Sequence, residues 1–268
     1  MMRKVSISTT AVVFLAVCTL LFLYLPIVVV VLWSFNTEAI SSFPMKGLTL
    51  RWYGEMLKNV QLIQSLKNSI QVALISTLLA ILIGVPGAYG MYLHNFKGKQ
   101  FLERMVILPM MLPGIITGIS ILTFLQLVGV LQGPFAVILG HTTFLIGTVL
   151  PQVYTRLRQI DGYMRDAAMD LGASGLQTFV HVILPNIKTS IFGAALLSVT
   201  LSLDEIPVTF FLNGVFTTLP IKIFAMTRNG FTPEINAICS IILLFSVFAI
   251  VLSTVLSSKE KSHEYQRN

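Results

Sequence analysis

The sequence predicts an all-α membrane protein with six transmembrane helices, on three observations. Of its 268 residues, 55% are hydrophobic and 11% charged, with mean hydropathy +0.83; a soluble domain carries about 25% charged residues. The charges are also clumped. Stretches of 33, 29 and 51 uncharged residues separate Lys4 from Glu38, Lys67 from Lys97, and Arg104 from Arg156. A span takes about 20 apolar residues, so the first two gaps hold one helix each and the third holds two. Finally, Lys and Arg fall unevenly on alternate loops. One side carries 12 (Arg3, Lys4, Lys97, Lys99, Arg104, Arg156, Arg158, Arg165, Lys188, Lys259, Lys261, Arg267) and the other carries 6 (Lys46, Arg51, Lys58, Lys67, Lys222, Arg228). The richer side is cytoplasmic, which puts both termini inside.

The elements follow in order. The apolar run after Arg3 and Lys4 continues from Val5 to Phe35. That is far longer than a signal h-region of about 7–15 residues, so it reads as an uncleaved first span over 11–33. Spans two to four are predicted at 70–92, 105–127 and 135–154, the last two parted by Gly129, Gln132, Gly133 and Pro134. Only 15 uncharged residues separate Lys188 from Asp204, about 22 Å of helix. A fifth span therefore continues through the acids, over 189–212, and a sixth covers 235–256. This organises the chain as a first helix with its outer segment (1–66), a five-helix core (67–257) and a cytoplasmic tail (258–268).

Prolines 26, 86, 109, 113 and 207 fall within or at the ends of spans, and Gly84, Gly87 and Gly90 mark one stretch of the second. Two readings stand equally: kinks and close packing, or helices broken around a central pathway. Cys18 and Cys239 have no metal-ligand spacing. The net charge of +7 is scattered at span ends and forms no basic face for nucleic acid. Neither a phosphate loop, nor H-E-x-x-H, nor G-x-S-x-G occurs, so enzymatic readings fail and no cofactor is expected in this chain.

The cytoplasmic loop 156–188 is too long and too patterned for a connector. Leu157, Ile160, Met164, Ala167, Ala168 and Leu171 recur at helical spacing, and Gly172 is a C-terminal stop. Ser174 and Gln177 form a capping box that opens a second short helix, which Pro185 is expected to break. Acids Asp161, Asp166 and Asp170 nearly balance the basic residues, so the loop suits a protein partner better than a bilayer surface.

Asp166-Ala167-Ala168-Met169-Asp170-Leu171-Gly172, followed by Ile183-Leu184-Pro185, resembles the E-A-A–x3–G–x9–I-x-L-P signature of ABC importer permease subunits, with Asp166 in place of Glu. Further matches, among them Arg51-Trp52-Tyr53, His141-Thr142-Thr143-Phe144 and Leu201-Ser202-Leu203-Asp204-Glu205, extend the resemblance over nearly the whole chain. It is closest to the second permease subunit of spermidine/putrescine-type importers. Those proteins tend to carry an acid after Met110-Met111-Leu112-Pro113, where this sequence has Gly114.

The resemblance implies a type I ABC importer permease fold in the bacterial inner membrane. It implies a second, different permease chain, two ATPase chains that bind ATP and Mg, and an extracytoplasmic binding protein. Asp166, Ala167, Ala168, Gly172, Ser174, Leu184 and Pro185 would belong to a coupling helix that docks in an ATPase groove. The substrate expected is a polyamine, with other amines, aminophosphonates or opine-like compounds behind. An ATP-independent six-span channel or secondary transporter is the alternative, and it has no need of such a dock.

For the pathway the candidates are Asp204, Glu205, Trp52, Tyr53 and His141. An intramembrane acid usually faces a bundle interior or a cavity, and Asp204 is expected to matter more than Glu205. Aromatic faces attract ammonium groups, although Trp52 and Tyr53 read first as interface anchors. His141 reads first as a buried histidine with satisfied hydrogen bonds.

Overall fold

A computed structural model describes residues 5–38, 44–228, 232–244 and 247 of the chain. Among them the one β pairing is the isolated bridge between Asn36 and Leu48, and every longer element is helical. The contacts divide the chain into two units, 1–63 with 223–268, and 64–222.

In the first unit, α1 (Val5–Trp33) is apolar on every side and keeps Pro26 inside a continuous helix. At 29 residues it is about 44 Å long, more than the hydrocarbon core of a bilayer. The chain then folds back through the Asn36–Leu48 bridge to α2 (Arg51–Lys58). The short apolar helix α12 (Pro233–Leu244) also belongs here, tied by Asn59 Nδ2 donating to Glu234 Oε2 at 3.0 Å.

The second unit is the bundle. The 34-residue α3 (Val60–Leu93), whose main length lies in this unit, keeps Pro86 inside it. It buries Ser65, Ser69, Val72, Ser76 and Ala80, a stripe at helical spacing. Gly84 and Gly87 of α3 let Val149 and Leu150 of α6 (Pro134–Leu157) come close; a β-carbon at Gly84 would stand 3.0 Å from Val149 Cγ1. Val85, Met91, Leu145, Val153, Leu157, Ile183 and Ile187 form the main core, with α9 (Leu184–Asp204) as its third wall.

Two expected spans are broken. The third is α4 (Lys99–Met111) followed by α5 (Gly114–Leu127), bent by 105°. Leu112, at ψ 148°, is extended because a residue preceding proline avoids the α region. The fifth ends at Asp204; Glu205 is extended at ψ 107°, and α10 (Pro207–Leu212) restarts with its proline at the first turn. Of the five prolines, then, Pro113 and Pro207 sit at breaks, while Pro26, Pro86 and Pro109 stay inside helices.

The 156–188 loop holds less irregular chain than its sequence suggests: α6 continues to Leu157, α7 (Tyr163–Asp170) follows, and the helix that opens with α8 (Gly175–Thr178) runs on into α9. The expected break at Pro185 does not occur. Gly175–Asp204 is one continuous 30-residue helix that widens into a π-turn at Phe179–Ile183, just before the proline. Proline removes one N–H and crowds the carbonyl four residues back; a wider turn relieves both without ending the helix.

Among the described residues four helices are long and apolar enough to cross a membrane, and the bent α4–α5 pair makes up to five. The sixth expected span, 235–256, is described over 235–244 and at 247, and the expected tail 258–268 lies outside the described residues. The short helix α11 (Leu219–Arg228) completes the elements.

Candidate functional site

Two places bring the predicted residues together. At the first, α7 ends in a Schellman closure: Gly172 N donates to Met169 O at 2.9 Å and Ala173 N to Ala168 O at 3.0 Å. That closure needs a residue at positive φ, and Gly172 stands at φ 86° with nothing within 4 Å of a β-carbon. The glycine is therefore required by backbone conformation, not by crowding in this chain. The 6→1 bond thus runs from residue 173 to 168 and the 5→2 bond from 172 to 169.

Ser174 then caps α8. Its Oγ accepts from Gln177 N at 3.3 Å, and Gln177 Oε1 accepts from Ser174 N at 2.8 Å, the reciprocal box read from the sequence. Asp166 and Ala167 are exposed on α7, with Asp166 in its first turn, where the helix dipole favours a carboxylate. Leu171 is 90% exposed and Tyr163 80%. Among the described residues nothing covers these two apolar side chains. From the other side the loop is anchored to the bundle, because Phe179 packs on Tyr89 at 4.6 Å between centroids and Leu184 lies against the core. Pro185 is exposed beside it.

At the second place, the two helix breaks face each other. Gly114 opens α5 directly against the other break: a β-carbon there would stand 2.9 Å from Pro207 Cβ and 3.3 Å from Glu205 Oε1. Between the breaks lies a cavity of about 250 Å³, lined by Met110, Thr117, Phe144, Leu201, Glu205 and Val208 among others. Glu205 Oε1 accepts from Val208 N at 2.9 Å and so caps α10. Its second oxygen has no hydrogen-bond partner among the described residues. Asp204 is exposed at the end of α9 and does not line the cavity.

His141, on α6, is 1% exposed and uses both ring nitrogens, with Nδ1 2.7 Å from Ser202 Oγ and Nε2 2.8 Å from Thr209 Oγ1. Phe144 follows one turn later, its ring centroid 5.5 Å from the imidazole. Chemically, the cavity offers one carboxylate, the Thr117 hydroxyl, one aromatic ring and otherwise mostly apolar side chains, a set that suits a small cation.

Trp52 and Tyr53 make contacts within the first unit. Trp52 Nε1 donates to Asn36 O at 2.6 Å, and its ring is covered by the Arg51 guanidinium at 4.7 Å. The Tyr53 hydroxyl pairs with Ser34 Oγ at 2.7 Å. A hollow of about 660 Å³ at Asn95–Phe101 is lined by that one turn alone and is open surface. Sequence reasoning did not single out Phe144, Thr117 or Pro207 for this place; the small pair Gly114 and Gly118, one turn apart, was the available signal for a close approach.

Residues 76–259 match the family described as binding-protein-dependent transport system inner membrane component. The chain belongs to that family. It is thus a membrane permease component of ABC transporters and not an enzyme. The permease is 35% identical to the spermidine/putrescine transport system permease protein PotC of Haemophilus influenzae, over 89% of this chain and 93% of that one. To the putrescine transport system permease protein PotI of Escherichia coli it is 34% identical, over 83% and 82%. Among solved structures, a bacterial ABC transporter involved in the import of the acidic polysaccharide alginate covers 96% of the permease at TM-score 0.75 and 18% identity. An amino acid ABC transporter covers 80% at TM-score 0.56 and 16% identity. These last two are likenesses of fold alone.

Proposed function

We propose that the permease is one of two different membrane subunits of an importer for a small cationic solute of the polyamine class. The observation that carries this is the cavity between the two helix breaks, where Glu205 and Phe144 meet in about 250 Å³. That volume lies below the usual range for drug-sized ligands, about 300–1,000 Å³, and suits a short flexible chain better than an oligosaccharide. Inside a low-dielectric bundle, one carboxylate attracts an ammonium group more strongly than it would in water. The relatives named for spermidine and putrescine support the same class of cargo. Gly114 fits it too. An acid at this position would stand against Glu205 and Pro207, so the charge is supplied from 205 instead.

In this reading the chain crosses the inner membrane six times with both termini in the cytoplasm. Two ATPase subunits, which bind the ATP and Mg, dock on the exposed face of α7 and α8. An extracytoplasmic protein delivers the solute. Closure of the ATPases moves α7–α8, and the continuous helix from Gly175 to Asp204 carries that motion to the Glu205 break.

The test is reconstitution of the permease with its cognate subunits and a screen for ligands that stimulate ATP hydrolysis. Stimulation by putrescine or spermidine supports the reading. Stimulation only by anionic or neutral ligands overturns the cargo, and solute flux with no ATPase retained overturns the importer.

A further inference from the structure

The hydroxyl of Thr209 has one proton, and its place can be worked out. Thr209 Oγ1 lies 2.8 Å from Glu205 O, and a carbonyl can only accept. Two oxygens at that distance without a hydrogen between them would repel, so the Thr209 proton points at the carbonyl. This is the usual bond of a threonine to the carbonyl four residues back. Thr209 Oγ1 can then only accept from His141 Nε2, 2.8 Å away. The neutral imidazole carries its single proton on Nε2, and Nδ1 must accept from the Ser202 hydroxyl at 2.7 Å.

All three side chains are 5% exposed or less, and the resulting chain has one direction: Ser202 O–H to Nδ1, Nε2–H to Thr209, Thr209 O–H to Glu205 O. Ser202 belongs to α9 and Thr209 to α10. One side chain from α6 therefore bridges the break. On the far side, α10 holds Glu205 twice, through Thr209 on its carbonyl and Val208 N on its carboxylate.

We infer that His141, held as the Nε2–H tautomer, is a positioning residue that ties α9 to α10 and fixes the Glu205 carboxylate at the cavity wall. The inference rests on the proposed function only for what Glu205 attracts; the tautomer and the tie stand without it. A buried histidine that merely fills space would not need partners on both sides of a break, since an apolar side chain would fill the same volume without desolvating two nitrogens.

The experiment reads the ring nitrogens of ¹⁵N-histidine-labelled transporter in lipid bilayers, with the His141 signals assigned by their loss in His141→Gln. The expected result is a proton on Nε2 and a bare Nδ1 in wild type, turning into mixed tautomers in Thr209→Val, because the Ser202 hydroxyl can donate or accept. A proton on Nδ1 in wild type, or an unchanged spectrum in Thr209→Val, overturns the tie. Uptake is measured alongside. Thr209→Val is expected to keep subunit recovery and lose about tenfold in uptake, as for one buried hydrogen bond. His141→Gln, whose amide reaches the Nε2 position, is expected to retain more uptake than His141→Leu. Equal uptake in wild type and Thr209→Val, or equal losses of recovery and uptake, overturns the positioning role. Failure of the wild type to carry any polyamine would count against the proposed cargo and leave the nitrogen spectra to decide the tie.

Discussion

Glu205→Gln is the substitution that tests the cavity. Glutamine keeps the length of the side chain and an oxygen to accept from Val208 N, now at 2.9 Å, so α10 stays capped and the break keeps its shape. What goes is the charge. A carboxylate and an ammonium 4 Å apart attract by about 4 kcal/mol at an effective dielectric of 20, before either is desolvated. Hydrogen bonds to charged groups are worth about 1.5–3 kcal/mol net in proteins. At about 1.4 kcal/mol per tenfold, that is roughly a 10- to 150-fold loss in uptake efficiency for a cationic solute. The assay is uptake of labelled putrescine into membrane vesicles, with recovery of all subunits and basal ATP hydrolysis measured on the same preparation. Unchanged uptake in Glu205→Gln at equal recovery would refute the reasoning, and the carboxylate would then be an α10 cap and nothing more.

Asp204→Asn is expected to lower uptake less than Glu205→Gln, since Asp204 is exposed and outside the cavity lining; the reverse ranking in the same vesicles would restore the expectation drawn from the sequence. Gly172→Asp puts a side chain at φ 86°, at a cost of about 1–2 kcal/mol, and should open the Schellman closure; the expected result is retained membrane insertion with ATPase subunits lost or uncoupled on purification. Ser174→Ala removes the reciprocal cap of α8, worth about 1 kcal/mol, and should reduce coupling partially, read as the ratio of solute moved to ATP hydrolysed. Gly114→Ala sets a β-carbon 2.9 Å from Pro207 and should lower both thermal stability and uptake.

The features legible in the sequence are those fixed by local chemistry or by long averages. The gap from Lys4 to Glu38 contains α1, and Ser174, Gln177 and Gly172 sit in the capping box and the positive-φ position that their types demand. Which proline breaks a helix was not legible. Pro86 and Pro113 carry the same chemistry, and neighbours decide whether the freed carbonyl is accommodated. Pro185 shows a third outcome, a π-turn, that periodicity does not signal. The acids at 204 and 205 are adjacent, and on an unbroken helix they would point about 100° apart. The extended backbone at Glu205 changes that geometry, and only the fold turns Glu205 to the cavity. His141 was legible as a buried, satisfied histidine; that its two partners stand on opposite sides of a break was not.

The central claim is an ATP-driven pathway for a small cation, and one measurement meets it directly. The permease is reconstituted with its partner permease, ATPases and binding protein in liposomes, and uptake of labelled putrescine is followed with and without ATP on the ATPase side. The account predicts uptake that requires both ATP and the binding protein and falls sharply in Glu205→Gln. Putrescine entry at the same rate without ATP would contradict it.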